Sequence, residues 1–176
     1  MVAVIKDLDM IAKLEMDGIY LNIENFNVLE LVQNVFDLLE MKAKKRNITL
    51  LFDRIYDFPV FIKGDIEKIE QVLINLIVNS IKYGKPNGTT IISIDNYSDQ
   101  KLLLKVTDNG EGIKQEHLPR LFERFYRVDQ SRSREQGGSG LGLSIVKHII
   151  EAHNETILLK SDFGEGSEFS FTLKKA

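Results

Sequence analysis

Apolar residues recur along the 176-residue chain at two spacings, one typical of helices and one typical of strands. The helical spacing predicts helices over residues 2–16, 27–46, 65–83 and about 140–153. Asp65 is the expected N-cap of the third helix. Alternating and β-branched runs predict strands at 19–24, 48–52, 59–63, 89–96, 101–108, 155–161 and 167–173. This set of elements predicts an α/β layered sandwich, with helices packed on a mixed sheet.

A long polar stretch, 110–139, lies between the predicted hairpin of 89–96 and 101–108 and the last helix. Its apolar residues show no periodicity. Irregular loops of this length in compact domains are usually functional lids or disordered segments. We therefore expect this stretch to be a lid or a disordered loop.

Composition narrows the class of protein. The hydrophobic share of 43% and the charged share of 28% are typical of a globular domain. A net charge of −3 gives no broad attraction to nucleic acid or anionic membrane, so neither is an expected partner. Cysteine is absent, which excludes disulfides and thiolate metal sites and suits a reducing cytoplasm. No apolar run approaches the roughly 20 residues of a membrane helix, so we expect a soluble cytoplasmic domain.

The predicted helix 65–83 carries an unusual polar stripe. At 100° per residue, Gln71, Asn75, Asn79 and Lys82 fall together on the side opposite the apolar face. An asparagine side chain offers a neutral oxygen to a hard cation such as Mg²⁺, and a lysine can reach a phosphate as a point charge. A solvated helix face explains the same residues equally well.

Asp108 ends a predicted strand and is followed by Asn109-Gly110-Glu111-Gly112. Glycines at this point let the backbone turn and approach a ligand closely. A carboxylate at a strand end is a good acceptor for an exocyclic amine such as that of adenine. A simple turn is the alternative, since turns of this composition are common. The irregular stretch that follows favours a site.

A glycine-rich segment, 137–144, runs directly into the last predicted helix. Backbone N–H groups at a helix start bind phosphate, and small residues let it come near. The segment is not a lysine-bearing P-loop and lacks the spacing of a dinucleotide-binding motif. A flexible linker is the alternative, but Leu141, Leu143, Ile145 and Val146 need a core to bury them.

Aromatic and basic residues interrupt the polar stretch: Phe122, Phe125 and Tyr126, with Arg120, Arg124, Arg127, Arg132 and Arg134. Aromatic side chains suggest docking when the loop closes, and arginines can pair with a γ-phosphate. A solvated basic loop with a small hydrophobic anchor is an equal alternative. The three histidines, His117, His148 and His153, are not spaced as metal ligands, so we expect structural or surface roles for them.

Four segments occur in an order that resembles the ATP-binding catalytic domain of bacterial sensor histidine kinases. They resemble its N box, first glycine box, F box and second glycine box: Asn75–Asn79 with Lys82-Tyr83, Asp108–Gly112, Phe122–Arg127 and Gly138–Gly142. The similarity covers roughly residues 24–173. Residues 1–17 are similar to the end of the second helix of the family's dimerisation and phosphotransfer domain, which leaves 18–176 as the expected ATP-binding domain.

The resemblance implies a fold and a set of ligands. The fold is a two-layer α/β (α+β) sandwich of the Bergerat type, with a mixed sheet of about five strands, three backing helices and an ATP lid at about 113–139. The ligands are ATP and Mg²⁺. Beyond them, the implied partners are the protein's own dimerisation domain and a response regulator, and the implied parent is an inner-membrane sensor.

Individual roles also follow from the resemblance. Asn79 would hold Mg²⁺ through its side-chain oxygen, Asp108 would accept from the adenine amine, and Arg127 would contact the γ-phosphate from the lid. Asn79, Lys82 and Arg127 form the expected catalytic set. The expected nucleotide contacts are Asn75, Asn79, Lys82, Tyr83, Asp108, Gly110, Gly112, Ile113, Phe125, Gly138, Gly140, Leu141 and Gly142.

The family's acceptor histidine, usually followed by an acidic residue and Leu-Arg, has no counterpart in this sequence. We therefore expect the chain to bind ATP and to donate its phosphoryl group to a histidine on another domain. Two alternatives stay open. One is a nucleotide-responsive regulatory module without transfer activity, and the other is a gyrase-like or MutL-like ATPase. Asn154-Glu155 replaces the glycine common in the family, and we expect it to alter only a turn.

Overall fold

The structure is a computed structural model, and it describes residues 2–16, 20–129 and 138–176. Within those residues the chain forms four α-helices and seven β-strands. In chain order they are α1 (Val2–Met16), β1 (Glu24–Asn27), α2 (Val28–Lys45), β2 (Thr49–Phe52), β3 (Phe61–Gly64), α3 (Ile66–Tyr83), β4 (Thr89–Asn96), β5 (Lys101–Asp108), α4 (Gly142–Ala152), β6 (Ile157–Asp162) and β7 (Gly166–Lys175). A short 3₁₀ helix, Gln115–Arg120, interrupts the stretch predicted to be irregular.

The strands form one mixed sheet. β2, β4, β5 and β7 are neighbours in that order, with β2 parallel to β4 and the remaining pairs antiparallel. The other edge of β7 is shared, because β6 pairs with its first half and β3 with Lys174 and Lys175. β1 pairs with β3. The predicted fold class is confirmed, and within the described residues the sheet has seven strands, as many as the sequence pattern predicts and more than the five or so that the resemblance implies. Ten-residue β7 is long enough to pair with both short neighbours.

The core lies on one face of this sheet. Along β5, Leu102, Leu104 and Val106 are buried while the residues between them are partly exposed, which is the alternation of a half-covered sheet. The helices α2, α3 and α4 supply the other half of the core, with apolar stripes of buried residues on each. The predicted two layers and three backing helices are therefore confirmed.

Asp65 and His153 join three elements at one edge of the domain. Asp65 is the N-cap of α3, as predicted, since its Oδ1 accepts from the backbone N–H of Lys68 at 3.1 Å. Its Oδ2 accepts from the N–H of Asn22 at 2.9 Å. The backbone N–H of Asp65 donates to Nε2 of the buried His153 at 3.0 Å. The Nδ1 of this histidine lies 2.8 Å from the Ile149 carbonyl, so its role is structural.

Two expectations about local structure are wrong. The strand predicted at 19–24 lies at Glu24–Asn27, because pairing with β3 sets its position and Phe26 is its one buried side chain. Glu155 does more than alter a turn. Its buried carboxylate pairs with Lys101 Nζ at 3.0 Å and accepts from the Thr172 hydroxyl at 2.5 Å.

The N-terminal helix α1 packs against α4 and buries Ile11. Asp7 of α1 accepts a hydrogen bond from Ser139 in the glycine-rich segment, and Glu15 of α1 forms an ion pair with Arg124 in the F box. Among the described helices, none is long and apolar enough to cross a membrane.

Candidate nucleotide-binding site

A cavity of about 330 Å³ opens between α3, the end of β5 and the start of α4. The four motif segments, which are far apart in the sequence, all contribute to its wall. Most of the predicted contacts line it, namely Asn75, Asn79, Lys82, Tyr83, Asp108, Gly112, Ile113, Arg127, Gly138, Gly140 and Gly142. Gly110, Phe125 and Leu141 lie outside this lining.

Asp108 is half-buried at the last position of β5. Its Oδ1 accepts from the backbone N–H of Gly110 at 2.9 Å, and its strand partner is Ser167 of β7. Burial raises the pKa of the Asp108 carboxyl, and hydrogen bonds from the backbone of Gly110 and Ser167 oppose that rise. These contacts fix the orientation of an acceptor group on the cavity wall.

The first glycine segment is pressed against neighbouring backbone. Gly112 has a φ of +69°, and a Cβ at this position would lie 2.0 Å from the carbonyl oxygen of Asp162. Any larger residue would push the loop out of place. Gly110 is buried, and a Cβ there would lie 2.4 Å from the carbonyl oxygen of Tyr83. It therefore supports the cavity wall from behind.

Three of the four residues in the polar stripe of α3, namely Asn75, Asn79 and Lys82, line the cavity, and Gln71 does not. Asn75 Nδ2 donates to the Gly142 carbonyl at 3.3 Å and so links α3 to the start of α4. Asn79 lies one turn further along and is half-buried. Among the described residues, no group of three His, Cys, Asp or Glu side chains could hold a metal ion. The side-chain amide of Asn79 offers a neutral oxygen at this wall, and Mg²⁺ accepts such an oxygen together with oxygens from a ligand and water.

Lys82, Arg127 and Gly138 meet at one place on the wall, which we name the cationic corner. The Arg127 guanidinium donates to the carbonyl of Gly138. A Cβ at Gly138, where φ is +107°, would lie 2.7 Å from Lys82 Nζ and 3.0 Å from Arg127 Nη2. The pKa of Lys82 is lowered by burial first, then by repulsion from Arg127 and Lys42. An anion bound here would relieve that repulsion.

Phe125 and Leu141 hold the second glycine segment in place without lining the cavity, whereas Gly140 itself lines it. The backbone N–H of Phe125 donates to the Gly140 carbonyl at 3.0 Å, and Phe125 has a φ of 60°. Its side chain is 54% exposed. Leu141 is fully buried in the core. Of the lid expected at 113–139, residues 113–129 and 138–139 are described, and Arg132 and Arg134 lie outside the described residues.

Several lining residues were not predicted from the sequence. Ser167 reaches the cavity because it pairs with Asp108, which lies 59 positions earlier in the sequence. Tyr126 lines the cavity, and its hydroxyl lies 2.5 Å from Nδ1 of His117. Asp7 and Ser139 also line it and contact each other. Tyr126 and Ser139 had a sequence signal, since they lie in the F box and the second glycine box, whereas Asp7 and Ser167 lie outside all four motif segments.

Residues 64–176 match the family described as histidine kinase-, DNA gyrase B- and HSP90-like ATPases. That segment is more than half of the chain, and the chain belongs to this family. The resemblance to the ATP-binding domain of sensor histidine kinases is also confirmed. The sensor histidine kinase WalK of Bacillus subtilis (strain 168) is 34% identical over 174 residues, which is 98% of this chain and 28% of WalK.

Solved structures agree with this assignment. The catalytic domain of the histidine kinase ThkA has a TM-score of 0.74 and 30% identity, over 88% of this chain and 96% of that one. ThkA in complex with the response regulator protein TrrA has a TM-score of 0.79 and 27% identity, over 99% of this chain and 48% of that one. The chain spans less than a third of the length of WalK.

Proposed function

We propose that this chain binds Mg-ATP and is the phosphoryl-donor half of a sensor histidine kinase. It would phosphorylate a histidine on a dimerisation domain, for relay to an aspartate of a response regulator. One observation carries the proposal: a single cavity combines a fixed carboxylate, Asp108, with a cationic corner at Lys82, Arg127 and Gly138. A nucleoside polyphosphate has the two matching features, an amine on the base and negative charge on the phosphates.

Each residue has a role in this proposal. Asp108 accepts a hydrogen bond from the exocyclic amine of adenine. Lys82 and Arg127 balance the charge of the triphosphate, and charge-assisted contacts of this kind are the stronger hydrogen bonds. Asn79 would hold Mg²⁺, which neutralises charge on the phosphate oxygens when it is bound.

Phosphoryl transfer depends mainly on positioning and on stabilising charge. A histidine nitrogen attacks the γ-phosphorus, the bond from that phosphorus to the β–γ bridging oxygen breaks, and ADP leaves. The chain's contribution is to hold the triphosphate at the cationic corner and to exclude water with the stretch that contains Tyr126 and Arg127. The nucleophile comes from the dimerisation domain.

The partners follow from the same proposal. ThkA, to which the chain is 27% identical, is described in complex with the response regulator TrrA, and this supports a receiver domain as the downstream partner. Residues 1–17 would belong to the dimerisation domain and 18–176 to the ATP-binding domain. Because ATP is the substrate, we place the domain in the cytoplasm of a cell whose sensor lies in the inner membrane.

Calorimetry tests the binding step. Mg-ATP should bind the wild-type chain, and Asn79→Ala should weaken Mg²⁺-dependent binding about tenfold or more, the loss typical of one ligand or charged hydrogen bond. Asn34→Ala is the matched control, since Asn34 is an exposed amide on α2. A wild-type chain that binds no nucleotide would reject the proposal.

Labelled ATP tests the transfer step. The chain is incubated with γ-labelled Mg-ATP and a separately produced dimerisation domain that carries the acceptor histidine. Acid-labile label on that domain is the expected result, and Arg127→Ala should reduce its rate. Binding of ATP without label on any histidine would instead favour a nucleotide-responsive regulatory module.

A further inference from the structure

A carboxylate from α1 lies in the wall of the nucleotide cavity. Asp7 lines the cavity, although it is more than 60 residues away in sequence from every motif segment. Its Oδ2 accepts a hydrogen bond from the Ser139 hydroxyl at 2.6 Å. An acidic side chain is unexpected next to a site that must hold several negative charges.

Ser139 lies between Gly138 and Gly140, next to the cationic corner. Its hydroxyl has one proton, which it donates to Asp7, and its oxygen accepts from the backbone N–H of Leu141 at 3.2 Å. While Asp7 is in place, Ser139 therefore cannot donate to a phosphate oxygen. The carboxylate and the phosphate compete for the same donor.

Two further contacts hold Asp7 in position. Ile11, one turn along α1, is 2% exposed and packs in the core. Glu15, one turn further, forms an ion pair with Arg124. Because α1 is anchored at these two positions, the Asp7 carboxylate cannot simply move away when an anion arrives. It repels the ligand, or the whole helix must leave.

We propose that Asp7 is a specificity-determining residue that penalises the third phosphate, and thereby couples docking of α1 to whether ATP or ADP is bound. The inference rests on the proposed function, since it assigns the phosphates to the cationic corner. Lys82 and Arg127 attract both nucleotides, whereas Asp7 repels mainly the outermost phosphate. Coupling is reciprocal, so bound ATP weakens the docking of α1 by the same factor by which docked α1 weakens the binding of ATP.

Charge removal at Asp7 is the direct test. Asp7→Asn keeps an oxygen that accepts from Ser139 and removes the charge. Asp9→Asn is the matched control, because Asp9 is on the same helix and its side chain is 65% exposed. Calorimetry at fixed Mg²⁺ gives the dissociation constants of ATP and ADP for each chain.

We expect Asp7→Asn to strengthen ATP binding about tenfold, because it removes one negative charge from a partly buried position beside the phosphates, and to change ADP binding much less. Asp9→Asn should change neither. The inference would be overturned if the ratio of the ATP and ADP dissociation constants were equal in the two variants, or if Asp7→Asn bound ATP more weakly than the wild-type chain. If the wild-type chain bound neither nucleotide, the proposed function itself would be rejected.

A second variant tests the coupling to α1. Glu15→Gln removes the ion pair with Arg124. It should raise the affinity for ATP relative to that for ADP, as Asp7→Asn does, because a loosened helix withdraws the Asp7 carboxylate. In the double variant of Asp7→Asn and Glu15→Gln the ratio should match that of Asp7→Asn alone. Additive effects would show that the helix and the carboxylate act independently, which contradicts the coupling.

Discussion

Replacing Asp108 by asparagine separates its effect on folding from its effect on binding. Burial raises the pKa of this carboxyl above its ordinary value. Because the carboxyl has a higher pKa in the folded than in the unfolded protein, its contribution to stability is fully present below its pKa in the unfolded protein. That contribution is lost as the pH rises through its pKa in the folded protein. Ionisation of this half-buried carboxyl therefore costs stability, and Asp108→Asn removes that cost.

Hydrogen bonds work in the opposite direction. The Asp108 carboxylate accepts from the backbone of Gly110 and Ser167, and an amide has one acceptor oxygen in place of two. Since the two effects oppose each other, we expect the free energy of unfolding to change by no more than about 1 kcal/mol. Urea titration at pH 7 measures this change.

Binding should change by more than folding. A hydrogen bond to a charged group contributes about 1.5–3 kcal/mol, so loss of the charge should lower the affinity for Mg-ATP about 10- to 100-fold. Asp99→Asn, in the exposed turn between β4 and β5, controls for net charge. Unchanged ATP affinity in Asp108→Asn would refute the role in adenine recognition. A fall in stability as large as the fall in affinity would show a structural role instead.

Two further substitutions have sharp expected outcomes. Gly138→Ala should weaken the binding of Mg-ATP in calorimetry, because its Cβ would lie 2.7 Å from Lys82 Nζ. Gly164→Ala is the control and should not weaken binding, since Gly164 also has a positive φ but a Cβ there would have no atom within 4 Å. Equal losses of affinity in the two variants would contradict the close-approach argument. Tyr56 has a pKa raised to about 12, by burial and then by its hydrogen bond to Asp53. Its contribution to stability should be present below about pH 10 and lost as pH rises towards 12, and Tyr56→Phe should remove the late component of an absorbance titration at about 295 nm. A titration unchanged by that substitution would contradict the assignment.

Local signals in the sequence placed many elements well. The hairpin is observed at the predicted bounds, 89–96 and 101–108. An aspartate before an apolar helical repeat is a local device, and Asp65 caps α3 as expected. Leu141 was recognised as a residue that needs a core, and it is fully buried. Each of these features depends on residues a few positions apart.

Long-range pairing explains what the sequence could not predict. β1 was placed too early because its position depends on β3, about 40 residues away. The second oxygen of Asp65 holds the N–H of Asn22, and Ser167 enters the site through the register of β7. None of these contacts leaves a periodic trace in the sequence. The presence of Asp7 in the cavity wall belongs to the same class.

The two walls of the cavity are held in different ways, and this matters for binding. Asn75 and Asp108 project from α3 and β5, whose other faces form the core, and each is fixed by a hydrogen bond to backbone. The opposite wall is formed by F-box residues and the second glycine segment, which are joined by two contacts. The backbone of Phe125 donates to the Gly140 carbonyl, and the Arg127 guanidinium donates to the Gly138 carbonyl. A ligand at the cationic corner can replace the second contact without disturbing the core. Under the proposed function, base recognition would therefore act on a preformed surface, and contacts with the phosphates would contribute the part of the affinity that depends on their number.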